Sequence, residues 1–362
     1  MSDLEIKLDA YVLPDDHRVF KLFPGRTYRL NKEIVERKTA FLDIRGLDEL
    51  SGDPAEWSAD DLRRIITADR VLQSSGSKIK KRPVSQDTKR LRFLRNLLMV
   101  AKEGDLIVVP LGKGLDGEVA IGEFSTAPGV IKKVTVEDGE NHYDTWGREI
   151  TWKRTVTRRR FSNTLNKSLH APTAFHLIEA LSREEVYLAA YGSFTYDDIY
   201  VASFPSEKEK FTTTDQATIG IWFNSLAIIH EAGITNSPLN KGDGIFELGI
   251  DEADVELELI RNSPWTAVLR TVGPLAFSAL AIYPLAVEGK PLSHLKNATV
   301  SAKPVAGAID KCAVVIPTDM QEIAKGYGHG RWDASCRLGK KVSTGATLRS
   351  TAHLKSARKK VK

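Results

Sequence analysis

The sequence predicts an α+β fold whose N-terminal half is rich in β-structure, and three features lead to this expectation. Short apolar segments are bounded by Gly and Pro, as is typical of β-strands. Two segments, near residues 58–70 and 88–104, space their apolar residues as amphipathic helices do. The chain has 362 residues, 42% of them hydrophobic and 27% charged, which is enough to bury more than one ordinary core. We therefore expect domains at residues 1–180 and 181–336, followed by a tail.

Turn residues and a helix cap predict the first elements. VFKLFPGRTYRL is apolar up to a Pro-Gly pair, and KTAFLDIRGLD reads as a short strand that ends in a turn at Gly46. In SADDLRRIITADR, Ser58 precedes acidic residues and apolar positions at helical spacing, so it should cap a helix. The next stretch, QSSGSKIKKRPVSQ, is polar and basic and contains Gly and Pro, which indicates an exposed loop.

A second helix and a β-hairpin should follow. TKRLRFLRNLLMVAKEG places leucines on one face and arginines around the other. In GDLIVVPLGKGLDGEVAIGEFS, residues 106–109 should form a buried strand, 112–117 a turn and 119–124 the returning strand. The glycines could suggest a phosphate-binding loop, but no helix follows them, so the hairpin is favoured.

The next two segments should complete the N-terminal domain. HYDTWGREITWKRTVTRRRFS alternates polar and apolar residues, as in a half-buried strand, and NTLNKSLHAPTAFHLIEAL should supply a short closing helix.

The order of these elements resembles the N-terminal domain of predicted Mrr-type restriction endonucleases, which is similar to the PUA/EVE superfamily. The resemblance covers residues 18–178. It rests on the PG turn, the strands GDLIVVPL and VAIGEF, and an R-x-x-x-W strand followed by R-x-x-F-S. It implies a β pseudo-barrel with flanking helices that reads RNA or modified bases in DNA, with a flipped or splayed base stacked in an aromatic cleft.

The predicted site combines aromatic residues that could stack on a base with cations that could contact phosphates. Trp146 and Trp152 are the candidate cleft walls and Tyr143 is a third aromatic candidate, although the strand position of Trp152 suits a core residue better. A solvated surface is the alternative interpretation of the basic clusters. The predicted phosphate contacts are Arg148, Arg154, Arg158, Arg159, Arg160, Lys80, Lys81, Arg82 and Arg90.

The net charge of +5 is concentrated in the tail. Residues 337–362 hold nine Lys and Arg and no acidic residue, so the rest of the chain sums to about −4. We expect this tail to be disordered, and either solvated or bound to nucleic acid without specificity.

The remaining C-terminal half reads as an α+β domain with an assembly or effector role. A helix should start near Thr214 and Asp215. Strands are expected at residues 187–191, 199–204, 255–259 and 312–316.

The most apolar stretch of the chain, residues 265–287, raises the question of a membrane span. Its uninterrupted part after Arg270 is shorter than the roughly 20 residues that a bilayer requires. A buried core helix or helical hairpin is therefore favoured, and insertion after activation is the alternative.

The sequence contains no complete catalytic or metal-binding motif. The E-x-K triplet of Glu288 and Lys290 follows a helix-like run and not a strand, and Cys312 and Cys336 lack C-x-x-C spacing. We therefore expect no enzyme activity, no metal and no cofactor. The chain begins without a secretory leader, which favours a cytoplasmic location in a prokaryote.

Together these features and the resemblance favour a nucleic-acid-binding protein of a prokaryotic restriction or anti-phage system, with DNA favoured over RNA. Other defence-system subunits and further copies of the chain are candidate partners. The alternative is an effector whose C-terminal half is a metal-dependent nuclease or a membrane-perturbing toxin. A scaffold whose tail binds nucleic acid is a third interpretation.

Overall fold

The computed structural model describes residues 4–74, 84–138, 141–196, 199–206, 208, 212–223, 255–260, 266–272, 296–304, 314–315, 339 and 341–346. Contacts divide the chain into one unit of Asp16–Ala190 and another of Met1–Asp15 with Tyr191–Lys362. The first domain was predicted to span residues 1–180, so its predicted boundaries differ from this division at both ends. The first strand, β1 (Leu4–Val12), pairs with β9 (Phe194–Tyr196) and β13 (Lys296–Pro304), and backbone pairing therefore assigns it to the second unit.

The unit Asp16–Ala190 has a mixed α+β fold built on a curled half-barrel sheet. The sheet order is β3-β7-β5-β4-β2-β8, and β6 pairs with β7 outside this path. Strands β2 and β4 are parallel, and the other pairs are antiparallel. The strands are β2 (Val19–Leu22), β3 (Thr39–Phe41), β4 (Leu106–Pro110), β5 (Glu118–Phe124), β6 (Lys132–Asp138), β7 (Asn141–Thr157) and β8 (Phe175–Leu177).

The predicted hairpin is confirmed by the pairing of β4 with β5. Val108 lies opposite Ile121 in an antiparallel register, and all five residues of β4 are buried. Because successive residues of β4 point to opposite faces and all are buried, both faces of the strand are covered, which explains why its sequence is continuously apolar.

The long strand β7 changes partners along its length, and two glycines permit the close approach that this requires. Its first half pairs with β6, its second half with β5, and β3 pairs with residues 147–149 between them. A Cβ on Gly147 would lie 2.5 Å from the carbonyl oxygen of Ala40. A Cβ on Gly122, beside a break in the β5–β7 register, would lie 2.3 Å from Cγ2 of Ile150.

The described residues of this region form five α-helices besides the sheet: α1 (Asn31–Arg37), α2 (Ala59–Ser74), α3 (Val84–Arg95), α4 (Asn163–His170) and α5 (Ala180–Tyr191). Ser58 caps α2 as predicted, since its Oγ accepts a hydrogen bond from the backbone N–H of Asp61 at 3.0 Å. The predicted strand at residues 187–191 is wrong, because these residues form the last turns of α5.

Helix α3 continues into a π-helical turn, Asn96–Val100, and its predicted leucine face is buried. The leucines join strand residues such as Phe20, Ile107 and Phe124 in one hydrophobic core. Successive side chains of a strand point to opposite faces, so Lys21, between Phe20 and Leu22, points away from that core.

In the described part of the other unit, seven strands are ordered β11-β12-β10-β9-β1-β13-β14. The strands not yet given are β10 (Ile199–Pro205), β11 (Val255–Ile260), β12 (Thr266–Val272) and β14 (Val314–Val315). They confirm the strands predicted near residues 199–204 and 255–259. Of the strand predicted at residues 312–316, only Val314–Val315 is described, and these two residues form β14. Residues 213–223 are helical as predicted, and Phe204 packs edge-to-face on Trp222.

Two predictions for this unit need correction. Residues 266–272, expected as part of a helix or helical hairpin, form β12, which pairs with β10 and β11. Residues 341–345, expected in a disordered tail, are helical, and the side chains of Val342 and Ala346 are buried. Residues 273–287 and 347–362, both cysteines and the E-x-K triplet lie outside the described residues. Within the described part of the chain, no helix is both long and apolar enough to cross a membrane.

Candidate nucleic-acid interface

The predicted site residues in the described part of the chain lie in separate regions of the structure. The first group surrounds Asp43, whose Oδ1 accepts a hydrogen bond from the Tyr143 hydroxyl at 2.6 Å. The Arg90 guanidinium donates to the Asp43 carbonyl oxygen at 3.0 Å and to Asp69 Oδ2 at 2.6 Å. Burial, and then the neighbouring Asp43 carboxylate, raise the pKa of the Tyr143 hydroxyl. Tyr143 and Arg90 therefore take part in a structural hydrogen-bond network.

The two candidate cleft tryptophans are half-buried, and both are anchored by their indole N–H groups. Trp146 donates to the carbonyl oxygen of Leu50, and Trp152 donates to that of Val35, each at 3.1 Å. Both indoles pack against the hydrophobic core. These contacts support the core interpretation of Trp152 and extend it to Trp146.

Arg148 is fully buried, which contradicts its expected role as a phosphate contact. Its guanidinium donates to the carbonyl oxygens of Leu97, Ala101 and Thr126, and it lies 4.6 Å from the ring centroid of Phe124. Burial lowers its pKa to about 10. Arg148 thus ties β7 to the end of the α3 segment and to the loop after β5.

A second group of predicted site residues consists of Arg154, near the carboxyl end of β7, and the 3₁₀ turn Arg158–Arg160 that leads into α4. Arg154 is exposed, and Arg160 is half-buried. The pKa of Arg160 is lowered by burial and by the positive charge of Arg154. Arg159 is exposed and paired with Asp116, with 3.0 Å between Nη2 and Oδ2. Lys80, Lys81 and Arg82 lie outside the described residues.

Arg158 turns inward and is fully buried beside Lys21, which is equally buried. Its Nη1 lies 3.0 and 2.9 Å from the two ring nitrogens of His170, and its Nη2 donates to the Tyr28 hydroxyl at 3.3 Å. The Lys21 ammonium donates to the carbonyl oxygens of Ser168, at 3.2 Å, and Ala171. Lys21, Tyr28, Arg158, His170 and His176 are called the Lys21 cluster below.

The basic side chains of the Lys21 cluster have no neutralising carboxylate partner among the described residues. Burial, and then the charge of Arg158, lower the pKa of Lys21 to about 7. Burial, and then the charge of Lys21, lower the pKa of His176 to about 4. Within the described residues, no carboxylate contributes to either pKa, so the cluster favours an added negative charge.

Sequence reasoning missed Lys21, Tyr28, His170 and His176. The signal for Lys21 was a single lysine inside the apolar strand VFKL, where each neighbour points into the core. The hydrogen-bond partners of the two histidines are close in the sequence, since Arg158 lies 12 residues before His170 and Ser168 lies 8 residues before His176, but neither spacing corresponds to a known motif.

No protein-family model, no curated protein and no solved structure matches this chain. The resemblance to the PUA/EVE superfamily therefore stays a prediction.

Proposed function

We propose that the chain binds nucleic acid through the basic end of the unit Asp16–Ala190, which we define as Arg154, the turn Arg158–Arg160 and the Lys21 cluster. We further propose that the half-barrel is a PUA/EVE-like reader domain and that the rest of the chain is an α+β assembly domain. The setting would be the cytoplasm of a prokaryote, in a restriction or anti-phage system, with DNA favoured over RNA.

The observation that carries this proposal is the contrast between paired and unpaired cations. Lys132 pairs with Glu149 at 2.7 Å, Lys133 with Asp144 at 2.8 Å, and Lys153 with Glu123 at 2.6 Å. Arg154 and Arg160 have no carboxylate partner within the described residues, and the charge of Arg154 acts on Arg160. Neighbouring cations without a carboxylate partner can contact phosphates directly. Such contacts release the counterions of the polyanion, and this release favours binding.

The test compares two double variants of the full chain that each remove two positive charges. Arg154→Gln with Arg160→Gln removes the unpaired cations, and Lys132→Gln with Lys133→Gln removes paired ones. Each protein is titrated with single- and double-stranded DNA and RNA of one sequence over a salt series, with and without residues 347–362.

We expect the arginine variant to weaken binding about tenfold. It should also lower the magnitude of the slope of log K against log salt by roughly one to two, since each phosphate contact contributes about 0.7 to 0.9 to that slope. The lysine variant should retain the slope of the wild-type chain. Equal effects of the two variants, or binding that disappears entirely with residues 347–362, would reject this surface.

A further inference from the structure

Two buried basic side chains lie close together in the Lys21 cluster, and no carboxylate among the described residues offsets their charge. Lys21 and Arg158 are both fully buried, and Arg158 lowers the pKa of Lys21. A buried charge is costly unless it is paired, so a natural site of this kind usually has an anionic partner. No carboxylate of the described residues supplies such a partner, so a bound anion is a candidate for it.

The cluster also contains donors and potential donors that no described residue of the chain accepts from. Arg158 Nε and His176 Nδ1 are buried without a hydrogen-bond partner. The Lys21 ammonium donates to the carbonyls of Ser168 and Ala171 at the carboxyl end of α4, whose partial negative charge offsets its own only in part. The Tyr28 hydroxyl accepts from Arg158 and can donate its own proton onward.

The backbone that presents Tyr28 is strained. Thr27 and Tyr28 have φ angles of 60° and 64°, in the left-handed region that residues other than glycine rarely adopt. Backbone strain of this kind is concentrated at binding and catalytic sites. It places the Tyr28 hydroxyl against Arg158, and the ring lies 5.2 Å from that of Phe23.

We propose that the Lys21 cluster is a binding site for a single phosphate group. The ammonium of Lys21, the guanidinium of Arg158 and the hydroxyl of Tyr28 are the donor set that a tetrahedral oxyanion requires. His170 is exposed and lies against Arg158, so it is the side chain that an entering phosphate would displace. This inference rests on the proposed function in one respect, the source of the phosphate. If the chain binds nucleic acid, the phosphate belongs to the end or to the backbone of a nucleic-acid strand.

Protonation should strengthen phosphate binding at this site. The groups that face the phosphate are Arg158, Tyr28, His170, His176 and Lys21, together with the carbonyls of Ser168 and Ala171 at the end of α4. The pKa of Lys21 is about 7 and that of His176 about 4, so both gain charge as the pH falls. For a backbone phosphodiester, whose own charge does not change in this range, affinity should therefore decrease as the pH rises through about 7 and Lys21 becomes neutral.

The experiment titrates the full chain by calorimetry at constant ionic strength with three probes: inorganic phosphate, a 5′-phosphorylated oligonucleotide and the same oligonucleotide with a 5′-hydroxyl. The variants are Lys21→Met, which keeps the aliphatic stem, Tyr28→Phe, which removes only the hydroxyl, and the control Lys132→Gln. Circular dichroism checks that each variant is folded.

We expect inorganic phosphate to bind and Lys21→Met to weaken it about tenfold or more, because a charge-assisted hydrogen bond is lost. Tyr28→Phe should weaken it less, and Lys132→Gln should not change it. Tighter binding of the 5′-phosphorylated strand alone identifies a terminal phosphate as the source, and equal binding of both strands, weakened by Lys21→Met, identifies the backbone.

Absence of phosphate binding, or binding that neither variant changes, would overturn the inference. If Lys21→Met leaves the binding of both inorganic phosphate and oligonucleotides intact while the Arg154 and Arg160 variant weakens oligonucleotide binding, the inference fails and nucleic-acid binding through Arg154 and Arg160 stands. If inorganic phosphate binds and no strand does, the proposed function fails and the phosphate site stands.

Discussion

Arg148 and Arg154 lie on the same strand, six residues apart in the sequence, and have different surroundings. Arg148 is enclosed by the carbonyl oxygens of Leu97, Ala101 and Thr126, whereas Arg154 is exposed. Removing one should therefore affect stability, and removing the other should affect ligand binding.

Arg148→Met should lower the unfolding free energy by about 2–4 kcal/mol, because three buried carbonyls lose a charged donor. Arg154→Gln should change it by less than about 0.5 kcal/mol, as is usual for exposed positions. Urea denaturation followed by tryptophan fluorescence measures both. Similar decreases in unfolding free energy in the two variants would show that the hydrogen bonds of Arg148 do not stabilise the fold.

Lys21 should make the stability of its unit depend on pH. Its pKa is about 7 in the folded chain and about 10.4 in an unfolded one. Between these values the unfolded state binds a proton that the folded state does not, so the unfolding free energy rises with pH by up to about 1.4 kcal/mol per pH unit.

Lys21→Met removes this dependence, so the stability of the variant relative to the wild type should be greatest below pH 7 and fall towards pH 10. Urea midpoints measured in parallel at pH 6, 8 and 10, without phosphate, test this. A difference that stays constant over that range would mean that Lys21 keeps its ordinary pKa.

The strand β7 can pair with β6, β3 and β5 only because its neighbours approach closely at glycine. We expect Gly147→Ala to destabilise the unit by about 1–3 kcal/mol, since its Cβ would lie 2.5 Å from a backbone oxygen that has little room to move. Gly220→Ala is the control, because a Cβ there meets nothing within 4 Å and Gly220 lies in the helical residues 213–223.

Alanine at position 220 should be neutral or stabilising by up to about 1 kcal/mol. Thermal unfolding of both variants tests the contrast. A neutral Gly147→Ala variant would show that β3 and β7 do not approach as closely as described.

The two contact units imply that the N-terminal strand supports the distant part of the chain. β1 pairs with β9 and β13, so deleting residues 1–12 leaves both of these strands without a partner on one side. Hydrogen exchange followed by mass spectrometry should show faster exchange in residues 194–196 and 296–304 and no change in the hairpin of β4 and β5. Faster exchange in the hairpin instead would reject the assignment of β1.

Much of the local structure could be predicted from the sequence, because strand alternation, helix caps and turn residues act over a few neighbouring positions. Ser58 marked the start of α2, and the glycines between β4 and β5 marked a hairpin. The prediction failed at residues 187–191, where an apolar and aromatic segment suits a buried strand or a buried helix equally.

The sequence by itself determined the α+β class, most elements of the half-barrel and the places where positive charge is concentrated. Only the tertiary structure decided which cations are available: Arg148 and Arg159 are committed to partners within the chain, whereas Arg154 and Arg160 have no carboxylate partner among the described residues. It also joined Lys21 to Arg158 and His170, which are distant in sequence. The physical reason is that pairing and burial depend on which strands and helices pack together, whereas charge and periodicity belong to the chain alone.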